Sequence, residues 1–186
     1  MEFYHDSRNV DDYIHMAKGY DGRLLIEQLA SYIKEGASIL ELGMGPGKDM
    51  EILKEKYKVT GTDESEIFVD RYKIRNKEAD VFRLDAVKMD VDRSFDCIYS
   101  NKVLMHLNTS DMIKSLRKQV EHLNENGVLF HSLWKGTGEE EFDGLRFVYY
   151  KEDEIRSILE QEFNILDVCT YTEAEENDSL YIVIKK

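Results

Sequence analysis

Apolar residues recur along the chain with two periods, and the switching between them sets the expected elements. Val10, Tyr13, Ile14 and Ala17 fall at helical spacing, as do Leu24, Leu25, Gln28, Leu29 and Tyr32 in a second stretch ending near Gly36. Residues 38–42 form a short β-type run cut off by glycines. Met50, Leu53 and Tyr57 then mark a helix, residues 58–62 a strand, and Ile67, Phe68 and Tyr72 another helix. Strands are predicted over 81–84 and 95–100. The stripe of Met112, Ile113, Leu116, Val120 and Leu123 predicts a helix behind Thr109, Ser110 and Asp111, three N-cap candidates. A fifth strand over 127–134, a helix at Ile155, Ile158 and Leu159, and closing strands over 163–171 and 180–184 complete the chain.

Strands alternating with helices at this spacing call for parallel pairing through right-handed crossovers, with helices on both faces of the sheet. The last two strands have no helix between them and predict an antiparallel hairpin. The class is doubly wound α/β with seven strands. No linker, repeat or low-complexity tract divides residues 1–186, so one domain is expected. In such a sheet, ligands sit at the carboxyl ends of the strands where the strand order reverses.

The first strand runs into Glu41-Leu42-Gly43-Met44-Gly45-Pro46-Gly47-Lys48-Asp49, which holds three of the 11 glycines and the only proline. Glycines there permit left-handed turns and close approach of a ligand to the backbone, and the amides opening the next helix become donors. The spacing separates ligands. A dinucleotide loop, G-x-G-x-x-G, has its third glycine one position later, where Lys48 stands, and no Gly-Lys-Ser/Thr closes a phosphate loop. The second strand ends in Asp63, 20 positions beyond Gly43, where a carboxylate accepts hydrogen bonds from ribose hydroxyls in nucleoside-binding α/β folds. An N-cap role for Asp63 or Ser65 is the plainer alternative.

The run Glu-Leu-Gly-x-Gly-x-Gly resembles motif I of the class I S-adenosylmethionine (SAM)-dependent methyltransferases, of the small-molecule type and with a Rossmann-like sheet. The resemblance is strongest from Leu40 onward. It implies SAM as cofactor and S-adenosylhomocysteine as product. It also implies cofactor contacts at Glu41, Gly43, Met44, Gly45, Gly47, Asp63 and Glu64. Asp85 would accept from the adenine amine, with the Ala86 amide facing the ring. Ser100 and Asn101 would lie beside the methionine moiety. Residues 1–20 would fold over the cofactor as a helical lid, with Tyr20 in contact. The segment from Phe95 to Leu107 and the turn at 124–129 follow the family's order, and residues 135–150 resemble the insertion of its small-molecule members. The N-P-P-Y tetrad of adenine- and amide-nitrogen methyltransferases is missing, which argues against those acceptors.

Methyl transfer from a sulfonium needs in-line positioning more than acid or base, so no catalytic residue is required by the chemistry. His106 and Tyr149 are the candidates for a general base, and Arg146 and Tyr150 for acceptor contacts. Each has a plainer reading: a structural hydrogen bond for His106, a surface ion pair with residues 139–141 for Arg146, and inward packing for one of the two tyrosines. Trp134 either lines the acceptor pocket or fills core, and core is the safer reading.

Charge narrows the partners. With 38 Asp+Glu against 25 Lys+Arg the net charge is −13, which disfavours nucleic acid. The basic groups at 71–77 and 114–118 read as solvated helix faces, and the acidic runs at 139–141 and 173–176 as solvated loops. No apolar run is long enough for a membrane span, and the first residues lack a secretory pattern. Cys97 and Cys169 are too few for a disulfide framework, so a cytoplasmic, reduced protein is expected. No cluster has metal-ligand spacing. The expected partner is a small-molecule methyl acceptor, with the oligomeric state open. A nicotinamide oxidoreductase and a catalytically inactive SAM-binding protein are the competing readings.

Overall fold

The computed structural model describes residues 3–20 and 22–186; the first two residues of the expected lid lie outside these. After a 3-10 turn, Phe3–His5, come α1 (Ser7–Met16), α2 (Arg23–Leu29), β1 (Ser38–Leu42), α3 (Lys48–Leu53), β2 (Lys58–Asp63), α4 (Glu66–Arg75) and β3 (Val81–Arg83). Then follow β4 (Phe95–Asn101), the 3-10 turn Leu104–His106, α5 (Thr109–Glu121), β5 (Leu123–Trp134), β6 (Gly138–Phe142), β7 (Leu145–Tyr149), α6 (Glu152–Leu159), β8 (Asn164–Tyr171) and β9 (Ser179–Lys185).

Seven strands form one sheet in the order β3-β2-β1-β4-β5-β9-β8. β1 to β5 pair in parallel, and β9 is antiparallel to both β5 and β8. The expected class is therefore the observed one. Successive strand residues serve opposite faces. Ile39, Cys97, Phe130 and Val183 pack with Leu25, Ile26 and Leu29 of α2 and Leu53 of α3. Leu40, Ile98, Leu129 and Ile182 pack with Met112 and Leu116 of α5 and Ile155 and Leu159 of α6. Both faces being covered explains why these strands read as continuous apolar runs rather than alternating ones.

Four details depart from expectation. The buried face of α2 is Leu25, Ile26 and Leu29, while Leu24 is exposed, and the helix gives way to turns well before Gly36. The cap of α5 is Asn108, whose side chain accepts from the Asp111 amide at 2.9 Å. The turn expected at 124–127 is absorbed into β5, which pairs Leu123 with Phe95 and shifts register before Val128 meets Cys97. The acidic run at 139–141 is strand β6, which forms a separate two-stranded sheet with β7 rather than a loop. Asp143 and Gly144 both have positive φ, 51° and 79°, the geometry an Asp-Gly hairpin turn requires. That dipeptide was the overlooked signal.

Candidate active site

β1, β2 and β4 end side by side, and the glycine loop crosses their carboxyl edge. Gly43 and Gly47 are left-handed, with φ of 65° and 84°. A Cβ at Gly43 would lie 2.5 Å from Val103 Cγ2, and one at Gly47 2.3 Å from Tyr72 Cε2, so neither position admits a side chain without displacement. Met44 donates its amide to Thr62 at 2.8 Å, joining the loop to β2.

Asp63 closes this cradle. Its Oδ2 accepts the Gly45 amide at 2.9 Å and its Oδ1 the Ser65 amide at 2.8 Å. Burial raises its pKa to about 6 in spite of those two donors. Beneath the loop, Glu41 is buried with Oε2 unpartnered, and burial together with Asp49 and Asp63 pushes its pKa well up. Glu64 lies at the rim, where its carbonyl accepts from Arg83 at 2.9 Å.

Asp49, in the first turn of α3, gathers three elements. It accepts from the Gly22 amide at 2.7 Å, the Tyr99 hydroxyl at 2.8 Å and Asn101 Nδ2 at 3.0 Å. Asn101 Oδ1 in turn accepts from Ser132 of β5 at 2.6 Å. Lys48, standing in the dinucleotide loop's glycine position, donates to the carbonyls of Ala17 and Tyr20. Residues 48 and 49 together clamp the α1–α2 junction onto the glycine loop.

The N-terminal segment crosses the same edge. Tyr4 accepts the Ser65 hydroxyl at its carbonyl, and Arg71 of α4 pairs with Asp11. Tyr13 stands over Gly45, 3.6 Å from where a Cβ there would be, and packs on Tyr4 and Phe68. Burial, then the fields of Asp63, Asp49 and Glu173, raise its pKa to about 12. Tyr13, rather than the exposed Tyr20, is thus the aromatic residue that reaches the cradle. It belongs to the apolar face visible in the sequence of α1, but its target was not.

Of the other expected site residues, Asp85 and Ala86 follow β3 and Ser100 lies in β4. Asp85 Oδ1 accepts from the Val87 and Lys88 amides at 2.8 and 3.3 Å, holding a turn, and its pKa is lowered because those donors and Lys88 outweigh burial. The Ala86 carbonyl accepts from Ser115 at 2.6 Å. Ser100 is fully buried and bonds His131 Nδ1 at 2.8 Å.

On the acceptor side, His106 Nδ1 lies 2.7 Å from the Arg146 carbonyl. A carbonyl only accepts, so Nδ1 carries the proton and Nε2 is the bare nitrogen. Burial lowers the ring's pKa, and Phe147 meets it edge-on at 4.9 Å between centroids. Arg146 is exposed and pairs with Glu139 at 2.6 Å, the surface pairing. Tyr149 donates to Glu140 at 2.5 Å, and burial and that carboxylate raise its pKa to about 12, which disfavours the phenolate a base would need. Tyr150 is the inward-packing tyrosine, in contact with Thr109 Oγ1 at 3.0 Å.

Sequence reasoning missed one cluster. Lys102, left-handed at φ 57°, buries its ammonium 4.2 Å from the Trp134 ring centroid and 2.7 Å from Glu173 Oε2. Glu173 is therefore a partly buried ion-pair member rather than part of a solvated loop. A groove of about 790 Å³ lies at the opposite, amino edge of the sheet, lined by Ser38, Lys58, Thr60, Asp80 and Arg93. Among the described residues no group of His, Cys, Asp or Glu is arranged to hold a metal, and no helix is long and apolar enough to cross a membrane.

No curated protein matches the sequence. Among solved structures, the Burkholderia thailandensis 1,6-didemethyltoxoflavin-N1-methyltransferase, bound to 1,6-didemethyltoxoflavin and S-adenosylhomocysteine, aligns with a TM-score of 0.81 and 17% identity over 96% of this chain and 84% of that one. A SAM-dependent methyltransferase from Clostridium acetobutylicum ATCC 824 gives 0.73 and 16% over 94% and 98%. SAM-bound CalS10, an amino pentose methyltransferase of Micromonospora echinaspora involved in calicheamicin biosynthesis, gives 0.73 and 12% over 95% and 97%. Such identities show a shared fold. The sequence also matches the methyltransferase domain family over residues 15–162, most of its length, and the chain belongs to that family.

Proposed function

We propose that the protein transfers the sulfonium methyl group of SAM to a small-molecule acceptor. The observation that carries this reading is the Asp63 carboxylate at the end of β2, bonded to the Gly45 amide of a loop whose glycines are left-handed. That arrangement leaves the edge of β1 and β2 lined by backbone and one carboxylate, which suits a nucleoside rather than a pyrophosphate.

SAM supplies the activated methyl group; the chain's own residues bind and orient. Asp63 takes the ribose hydroxyls, the glycine loop over Gly43, Met44, Gly45 and Gly47 takes the methionine portion, and Glu41 Oε2 supplies a buried, unpartnered polar atom beneath it. Glu64, Asp85 and the Ala86 amide border the adenine. Asn101, fixed by Asp49 and Ser132, faces the methionine end through its backbone, next to Ser100. The α1 segment is the lid, hinged at the Lys48–Asp49 clamp. His106, with Nε2 bare, is the general base where the acceptor must lose a proton.

Calorimetric titration with SAM, S-adenosylhomocysteine and NAD in parallel tests this. Saturable binding of the two adenosyl ligands and none of NAD is expected, and binding of NAD alone overturns it.

A further inference from the structure

The strand order fixes where an acceptor must lie. If the nucleoside spans the edges of β3 and β2 and the methionine portion those of β1 and β4, the methyl group points toward β5, β9 and β8. That end is built by Lys102, Trp134, Tyr171, Glu173 and Ser179. The Lys102 ammonium has three N–H donors, and Glu173 Oε2 at 2.7 Å, Ser179 Oγ at 2.9 Å, Tyr171 Oη at 3.0 Å and, more distantly, the Leu133 carbonyl at 3.4 Å occupy them. Tyr171 also donates to Glu173 Oε2, at 2.8 Å. Every bond to the Glu173 carboxylate thus falls on one oxygen, and among the described residues Oε1 has no hydrogen-bond partner.

The loop carrying Glu173 is held still. Asp178 accepts the amides of Glu173, Ala174 and Glu175 at 3.0, 2.9 and 2.8 Å. Glu173 stands at the carboxyl edge of the sheet, since Lys102 follows the end of β4 and Ser179 of β9 pairs with Trp134 at the end of β5. Two cations near this end are engaged, Lys102 as above and Lys48 by the Ala17 and Tyr20 carbonyls. An ammonium group brought to this end would meet a fixed, unfilled acceptor oxygen.

We infer that Glu173, through Oε1, binds the ammonium group of an amine-bearing methyl acceptor. This rests on the methyltransferase reading above and adds the acceptor's chemical class to it.

The test uses the full chain saturated with S-adenosylhomocysteine, whose binding is measured first. Benzylamine, benzoate and benzyl alcohol are then titrated by ligand-observed NMR, with wild type beside Glu173→Gln. Because Glu173→Gln leaves Lys102 without a counter-charge, the double variant Lys102→Met, Glu173→Gln is measured as well, and retained S-adenosylhomocysteine affinity reports an intact cleft. Benzylamine is expected to bind wild type at least about tenfold more tightly than benzoate, as one charge-assisted hydrogen bond allows, and both variants to lose the preference. Binding of benzoate or benzyl alcohol as tight as that of benzylamine, no binding of any probe, or a preference that survives in the variants overturns the inference. Failure of S-adenosylhomocysteine to bind strikes the methyltransferase reading and this inference with it, whereas its binding without an amine preference strikes this inference alone.

Discussion

Asp63 is the proposed ribose acceptor, and its titration gives the sharpest single-residue prediction. Burial holds its pKa near 6, so the free protein carries a proton there in mild acid. Ribose hydroxyls donate to the ionised form, so binding requires that proton to leave. SAM affinity should be flat above about pH 7 and fall toward tenfold per unit below about pH 6, by the usual proton linkage. Calorimetry from pH 5 to 8 checks this, and Asp63→Asn should show no such slope. Asp63→Ala should weaken SAM by about 1–3 kcal/mol through lost charge-assisted hydrogen bonds. An unchanged affinity in that folded variant would remove Asp63 from the ribose site. His106 is separable from binding: His106→Gln should lower kcat by about 10²–10⁴-fold for an acceptor that must lose a proton, with SAM affinity unaltered.

Elements meet at two places where a side chain from one decides the pose of another. The first is Asp49, which takes donors from the α1–α2 junction and from β4. Asp49→Ala orphans the Gly22 amide, the Tyr99 hydroxyl and Asn101 Nδ2, and should cost about 3 kcal/mol of stability, read by urea unfolding. The second is the glycine loop against α4. Gly47→Ala drives a Cβ to 2.3 Å from the Tyr72 ring at a left-handed φ, so a loss of about 1–3 kcal/mol is expected from overpacking, beyond the backbone strain. Tyr13 belongs to this scale as the part of α1 that occupies the cradle. If α1 is the lid proposed above, Tyr13→Ala should speed SAM association several-fold in stopped-flow measurements, because less of it must withdraw.

At the scale of the molecule, the sheet carries two helical layers and leaves its carboxyl edge to chemistry, so a surface of net charge −13 need not resemble the site it encloses. Acid stability depends on the loop between β8 and β9. Burial would raise the Asp178 pKa, but three backbone donors outweigh it and hold the group at about 2. A depressed pKa contributes stability that is whole above the ordinary carboxylate value and is lost as pH falls from about 4 through about 2. Asp178→Asn should therefore lower Tm at pH 7 and flatten its fall across that window, as thermal scans would show.

Most elements of the fold were legible in the sequence. Periodicity placed all seven strands of the main sheet within a few residues, and the loop from Gly43 to Gly47 with Asp63 beyond it marked the cradle, because turn chemistry and strand ends are written locally. The small sheet of β6 and β7 was missed although Asp143-Gly144 signalled it, since three glutamates in a row read as solvated. What the chain alone left open were the pairings between distant segments. Tyr13 was one apolar residue among several until α1 crossed Gly45, and Ser100 looked like a cleft residue until β4 turned its hydroxyl to His131. Glu173 looked like loop until Lys102 was brought to it from the end of β4. The sequence by itself determined the order of the elements, the glycine loop and its carboxylate, since each depends on residues near one another in the chain. Tertiary structure alone decided which side chains share the cleft and which charges are already neutralised there, because long-range packing selects one partner for each group from many of the same type.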